Sequence, residues 1–374
     1  MMGNIRQDII HNIKNIPGWH TRRKIVIIEC DDWGGTRMPS KEVYELLTAK
    51  GLKVGQGWFN MYDTLESKKD LEPLFDVLTS VRDRNGNPSI MTPVTNVANP
   101  DFEKIRASGF SGYHYEPFTE TLKRYYPDED VFRLWEEGIS SGIFVPELHG
   151  REHLTVQMWM EKLKEGNKDL LIAFDHGFTA LEIEDIPPPA REFRAEFYFT
   201  SEDQKSFLVD SLKEAVSLFS NIFGQQPRVF VPGNGIFHPD FEHVIAGRGI
   251  KFLYVNRASA YPDNGGELKY RHMVTGQKGP HGLIYYTRNC AFEPSDINYK
   301  GIDLTLKQIA AAFRWGKPAN ISTHRVNFIG GINPVNRENG LSELRKLLRA
   351  IVHKWPDVEF MSSGDALEYM KNKN

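Results

Sequence analysis

Two histidines, His149 and His153, stand four residues apart in the run Glu147-Leu-His-Gly-Arg-Glu-His153. At the start of a helix that spacing puts both imidazoles on one side of the backbone, within reach of one cation. The flanks fit such a turn: residues 142–148 read as a short apolar strand and 155–163 as a helix. The pair needs an anionic third ligand, and Asp31-Asp32 offers one after another apolar run. Two neutral imidazoles and one carboxylate leave coordination positions open for water and a carbonyl oxygen. A cation held this way lowers the pKa of water toward ~7 and polarises a carbonyl. A second carboxylate beside it stays ionised and can take a proton. The chemistry in prospect is metal-assisted hydrolysis. Each group also has a plainer use: adjacent aspartates after a strand can cap the next helix, and a lone histidine can simply bond to backbone.

These residues lie far apart in the chain, so the elements between them must bring them together. Lys24-Ile-Val-Ile-Ile-Glu-Cys30 is β-branched and apolar, as a strand buried on both faces should be. Further strands are expected at 89–94, 142–148, 228–232, 251–255, 283–287, 318–323 and 358–361. Helical patterns fill most intervals: residues 1–15, a segment capped by Ser40, then 71–81, 128–140 and 155–163. Two more lie within 169–223, on either side of Ile186-Pro-Pro-Pro189, and the second stops at Gly224. The last are at 304–315, 341–355 and 365–371. The aromatic stretch 110–118 lacks helical period and reads as an ordered loop overhanging a site; Gly-rich 263–280 has room for a small hairpin. Alternating strands and helices imply a parallel sheet with right-handed crossovers. The expected fold is α/β: a distorted (β/α)7-8 barrel with parallel strands, one domain over residues 1–374 with insertions at about 100–130 and 165–225.

On this scheme the unusual polar residues gather at one end of the strands. Asp31, Asp32, His149, Asn234, Arg288, Asn289 and His324 all follow strands. In barrels the active site sits at that C-terminal face.

Three of these segments resemble motifs of the polysaccharide deacetylases, the homology domain of carbohydrate esterase family four. The adjacent aspartates match Glu29-Cys-Asp31-Asp32, the His-x-x-x-His pair matches His149-Gly-Arg-Glu-His153, and the histidine closing a late strand matches Ile321-Ser-Thr-His324. They occur in the family's order and span most of the chain. The resemblance implies a deformed barrel and a metal-dependent carbohydrate deacetylase, with zinc the usual ion. It implies that Asp32, His149 and His153 hold the metal, that Asp31 is the general base, and that His324 protonates the departing amine or alcohol. The family's base-orienting arginine is missing: Val231 stands near its place in Phe230-Val-Pro-Gly-Asn-Gly235. Arg288, Arg325 and Arg151 are the available substitutes, with Arg288 favoured. The family's fourth motif has no match. Trp33, Asn234 and Asn289 are the expected substrate contacts, and Tyr113 and Tyr115 could stack on sugar rings. The alternatives are a glycoside hydrolase, for which Glu147 and Asp175 are the only carboxylates on offer, and a non-catalytic carbohydrate-binding relative.

The composition is that of an ordinary globular chain: 374 residues, 40% hydrophobic and 25% charged. With 46 basic and 49 acidic side chains the net charge is -3, so nucleic acid is not an expected partner. The first ten residues carry charges where a signal peptide needs an apolar core, and no apolar run approaches membrane-spanning length. The expectation is a cytoplasmic protein with a carbohydrate substrate and no membrane partner. Cys30 and Cys290, the two cysteines, are expected to be buried free thiols.

Overall fold

In the strand Lys24–Trp33, Ile25 and Ile27 pack against Ala366. Val26, Ile28 and Cys30 face the other way, into a cluster with Leu71, Leu74, Leu344 and Leu347. Side chains alternate along a strand, so Glu29 and Asp31 continue the inward row of Ile25 and Ile27. The inner wall therefore changes from apolar at the strand's start to anionic at its end. These are features of a computed structural model that describes residues 2–54 and 57–373.

Nine parallel strands make one sheet: β1 (Lys24–Trp33), β2 (Met91–Asn96), β3 (Glu147–Gly150), β4 (Val229–Phe230), β5 (Phe252–Tyr254), β6 (Ile284–Tyr286), β7 (Cys290–Ala291), β8 (Ala319–His324) and β9 (Val358–Phe360). Their order is β6-β5-β4-β3-β2-β1-β8-β7, with β9 on β1. The edge strands β6 and β7 are separated by only Thr287, Arg288 and Asn289. Four Cα steps span at most about 14 Å, so the two edges must lie close and the sheet must curl. The result is a distorted (β/α) barrel with a seam, and Arg288 sits in that seam. The barrel's other end is plugged by the helix Ser363–Lys371, whose Leu367 and Met370 pack on Val94, Val229, Phe252, Ile284 and Tyr286.

All eight expected strands are present, displaced by one to five residues; β7 was not foreseen, being two residues long. The largest displacement falls at 142–148. The chain pairs with Met91 through Ile143 and Val145, but Pro146 lacks an N–H, and the regular strand starts at Glu147. The stretch 110–118 is not only a loop, because Tyr115–Pro117 pairs antiparallel with Ala98–Pro100. The hairpin near 263–280 is Ala258–Pro262 with Leu268–His272. Cys30 and Cys290 are free and buried. Among the described residues no helix is long and apolar enough to cross a membrane.

Candidate active site

Neighbours in a strand point to opposite sides, so Asp31 and Asp32 should not face the same space. A local distortion solves this. The register of β1 against β2 shifts between Cys30 and Trp33, and Asp32 has φ 74. A left-handed residue at a bulge costs of order 1–2 kcal/mol, and it turns the second carboxylate into the cavity that already holds the first. Both aspartates line a cavity of about 380 Å³ at the C-terminal end of the barrel. His149, His153, Arg288 and His324 line it too, as do Arg37, Phe59, Arg194 and Asn234.

His149 is in β3 itself and His153 is in the loop beyond it; the following helix begins only at Val156. The pair thus spans the expected strand-to-helix turn, but neither imidazole is on the helix itself. Residues 153–155 are held off the helix by contacts across the loop: Thr155 donates its N–H to Phe193 O at 2.7 Å and its hydroxyl to Ala195 O at 2.8 Å. The imidazoles meet nonetheless. Nδ1 of His149 bonds Val231 O at 2.6 Å, and since a carbonyl oxygen only accepts, Nδ1 is the donor and Nε2 is the atom turned toward Asp32. His149 Nε2 lies 3.5 Å, and His153 Nε2 3.8 Å, from the same Asp32 oxygen. Gly233 packs flat on the His153 ring, where an added Cβ would meet ring atoms at 2.9 Å.

The Asp32, His149 and His153 ligand atoms lie within 4.8 Å of one another, and all three residues are buried. The histidine-to-aspartate gaps are too long for good hydrogen bonds. Burial, and then the charge of Arg194, hold the His153 pKa well below that of a free histidine, so its imidazole stays neutral. Burial opposes ionisation of Asp32, but the facing imidazoles of His149 and His153 outweigh it and keep the carboxyl well below the usual range. Two imidazoles and an ionised carboxylate form a donor set that suits a divalent cation.

Arg288 reaches from the seam to Asp31 with two parallel bonds, Nη1 to Oδ2 at 2.6 Å and Nη2 to Oδ1 at 2.7 Å. Its Nε bonds Glu29, two residues earlier on the same face of β1. Burial pushes the Asp31 carboxyl up, and the Arg288 guanidinium more than reverses this, leaving it below the usual value. The other two arginines weighed for this position are engaged elsewhere. Arg151 bonds Glu152 and Glu214. Arg325, fully buried, holds Asp63 at 3.0 Å and Glu66 at 2.7 Å. Arg325→Met strands two buried carboxylates and is expected to destabilise the fold by roughly 3–5 kcal/mol in urea unfolding.

His324 ends β8 and pairs in register with Asp31. Its Nδ1 bonds Glu293 at 2.7 Å, and its ring is edge-on to Phe59. Burial disfavours the imidazolium, but the Glu293 carboxylate wins and lifts the pKa to about 10.

Trp33 and Asn289 are not cavity residues, contrary to expectation. The bulge sends Trp33 outward into the core, fully buried with its ring 5.0 Å from Phe144. Asn289 ties the seam, donating to Asn15 at 3.0 Å and Pro318 O at 2.9 Å, and accepting from the Asn320 N–H at 2.9 Å. Tyr113 packs against Phe207, and Arg151 lies over both Tyr113 and Tyr115. Neither carboxylate considered for a glycosidase lines the cavity: Glu147 is buried against the Arg228 and Val229 N–H groups, and Asp175 pairs with Arg106 at the surface. Sequence reasoning missed Glu29, Glu293, Arg37 and Arg194. Only Glu29 had a signal, its i−2 spacing from Asp31 on a strand.

No protein-family model matches the chain, and no curated protein matches it. Solved structures of similar fold include a Parabacteroides distasonis protein provisionally named a glycoside hydrolase/deacetylase: 9% identity, TM-score 0.49, covering 95% of this chain and 73% of that one. A Mycobacterium smegmatis protein provisionally named a polysaccharide deacetylase has 11% identity and TM-score 0.43, covering 96% of this chain and 93% of that one. The 4-alpha-glucanotransferase of Thermococcus litoralis has 11% identity and TM-score 0.46, covering 92% of this chain; the match spans only 40% of the glucanotransferase. At these identities the likeness is one of fold and assigns no residue a role.

Proposed function

We propose that the chain is a divalent-metal-dependent hydrolase that removes acyl groups, acetyl foremost, from a carbohydrate. The observation that carries this reading is one cavity ringed by the Asp32–His149–His153 ligand set, an Asp31 clamped by Arg288, and a His324 paired with Glu293. A divalent cation on the ligand set, most simply zinc, supplies Lewis acidity: it polarises the acyl carbonyl and lowers the pKa of water.

The remaining work falls to the chain's own groups. Asp31, kept ionised by Arg288, takes the proton of the attacking water. Arg288 also fixes which carboxylate edge faces the cavity, because a bidentate pair restricts rotation. His324, protonated at neutral pH through Glu293, gives its proton to the departing nitrogen or oxygen as the bond to the acyl carbon breaks. An amine leaves poorly without that proton, whereas an activated phenol leaves without help. His324→Ala is therefore expected to slow amide cleavage by about 10²–10⁴-fold and hydrolysis of a nitrophenyl ester far less. Equal losses on both substrates would remove the acid role from His324.

Elemental analysis of the purified protein, followed by acetate release from a panel of N- and O-acetylated sugars, tests the whole reading. Metal together with acetate supports it. Sugar release without acetate would favour a glycoside hydrolase, and binding without either product a non-catalytic relative.

A further inference from the structure

The cavity holds a cation that the proposed chemistry does not use. Arg194 is 8% exposed and lines the cavity wall. Among the described residues its side chain forms no ion pair, and its buried Nε has no hydrogen-bond partner. A buried guanidinium is normally paired, because an uncompensated charge is costly to desolvate. The carboxylates nearest to it in effect are committed elsewhere: Asp63 to Arg325, Glu192 to Arg37 at 3.1 Å, and Asp32 toward the two histidines. Burial, with Arg37 adding repulsion, pulls the Arg194 pKa down to about 10, so it still carries its charge at neutral pH.

Arg37 lines the same cavity and is also 8% exposed. It is held in place, with Nε on Asn60 Oδ1 at 2.6 Å and its guanidinium over the Phe59 ring. The segment carrying Arg194 is held as well. Phe193, just before it, is fully buried with φ 54, a conformation that costs a bulky residue of order 1–3 kcal/mol. The carbonyls of Phe193 and Ala195 both accept from Thr155, two residues beyond His153. The backbone that carries Arg194 is thus fixed beside the ligand set, and its side chain is buried in the cavity wall.

We propose that Arg194, backed by Arg37, is an oxyanion-recognising wall of this cavity, and that the acylated substrate bears a carboxylate or phosphate close to the acyl group. The inference rests on the hydrolase reading for the acyl group but not for the anion. An arginine fork matches the oxygens of either group. A neutral sugar would leave the guanidinium unpaired in the complex.

The test is binding, measured by calorimetry on the metal-loaded protein with N-acetylglucosamine, N-acetylmuramic acid and N-acetylglucosamine 6-phosphate. One anionic probe is expected to bind about 10- to 100-fold more tightly than the neutral sugar, the range of a charge-assisted hydrogen bond. Which one does so separates the carboxylate from the phosphate. Arg194→Gln is expected to abolish that preference and to hold or raise the Tm of the ligand-free protein. Equal affinity for all three probes in the native chain would overturn the inference. So would a fall in Tm that marks Arg194 as structural, or a preference that survives the substitution. Because the readout is affinity, an anion preference without acetate release would keep the inference and sink the hydrolase reading. Acetate release without anion preference would do the reverse.

Discussion

Asp31→Asn is expected to retain metal at the native stoichiometry and to hydrolyse acylated substrate about 10²–10⁴-fold more slowly, the usual range for losing a general base. The substitution is nearly isosteric. The introduced amide keeps one oxygen for Arg288, which is further anchored by Glu29 and by Ser322 at 3.2 Å, so the seam should stay closed. What disappears is the proton acceptor. The measurement pairs elemental analysis with kcat on the best substrate of the panel. Native turnover by a metal-loaded Asp31→Asn protein would show that the base lies elsewhere. Loss of metal would instead make Asp31 part of the ligand set, contrary to its bidentate engagement with Arg288.

Asp32→Gly is expected to lose both metal and activity while the metal-free protein becomes no less stable. The carboxylate is the only anion in the ligand set, so its removal should weaken metal binding by more than the ~10–100-fold that follows loss of an outer partner. The backbone effect runs the other way. Asp32 holds φ 74, which glycine adopts without strain, and the deleted carboxylate is buried. Tm in chelator should therefore match or exceed that of the native chain, while Tm with added zinc should rise only in the native chain. His149→Ala shares the loss of metal without the relief of strain, so its metal-free Tm should fall. A stable, metal-free and inactive Asp32→Gly separates a ligand from a merely structural aspartate. Zinc-dependent stabilisation persisting in that variant would refute the site.

How far the site was legible depended on what kind of fact each residue needed. The strand order along the chain was readable, because β-branched runs alternate with helical period from β1 to the last helix. The ends of strands were readable to within a few residues, which was enough to place Asp31, His149, Arg288 and His324 at one rim. The direction of a side chain was not. Trp33 is one residue past Asp32, and the bulge that brings Asp32 inward is the same distortion that sends Trp33 into the core with Phe144. Asn289 is one residue past Arg288, yet Arg288 turns to Asp31 while Asn289 ties β8 and the N-terminal segment.

By itself the sequence determined the alternating α/β order, the apolar β-branched run of β1, and which residue types with metal-binding and proton-transfer chemistry end their strands. Those are local properties, set by period and by residue type. Only the tertiary structure decided which arginine clamps Asp31, that Glu293 keeps His324 protonated, and that Arg194 forms no ion pair among the described residues. Each of these is a pairing, or a missing one, between segments distant in the chain, created when the sheet curls until its two edges are joined by the three residues around Arg288. A one-dimensional pattern carries no record of such meetings, because burial and charge pairing come into being only when the barrel forms.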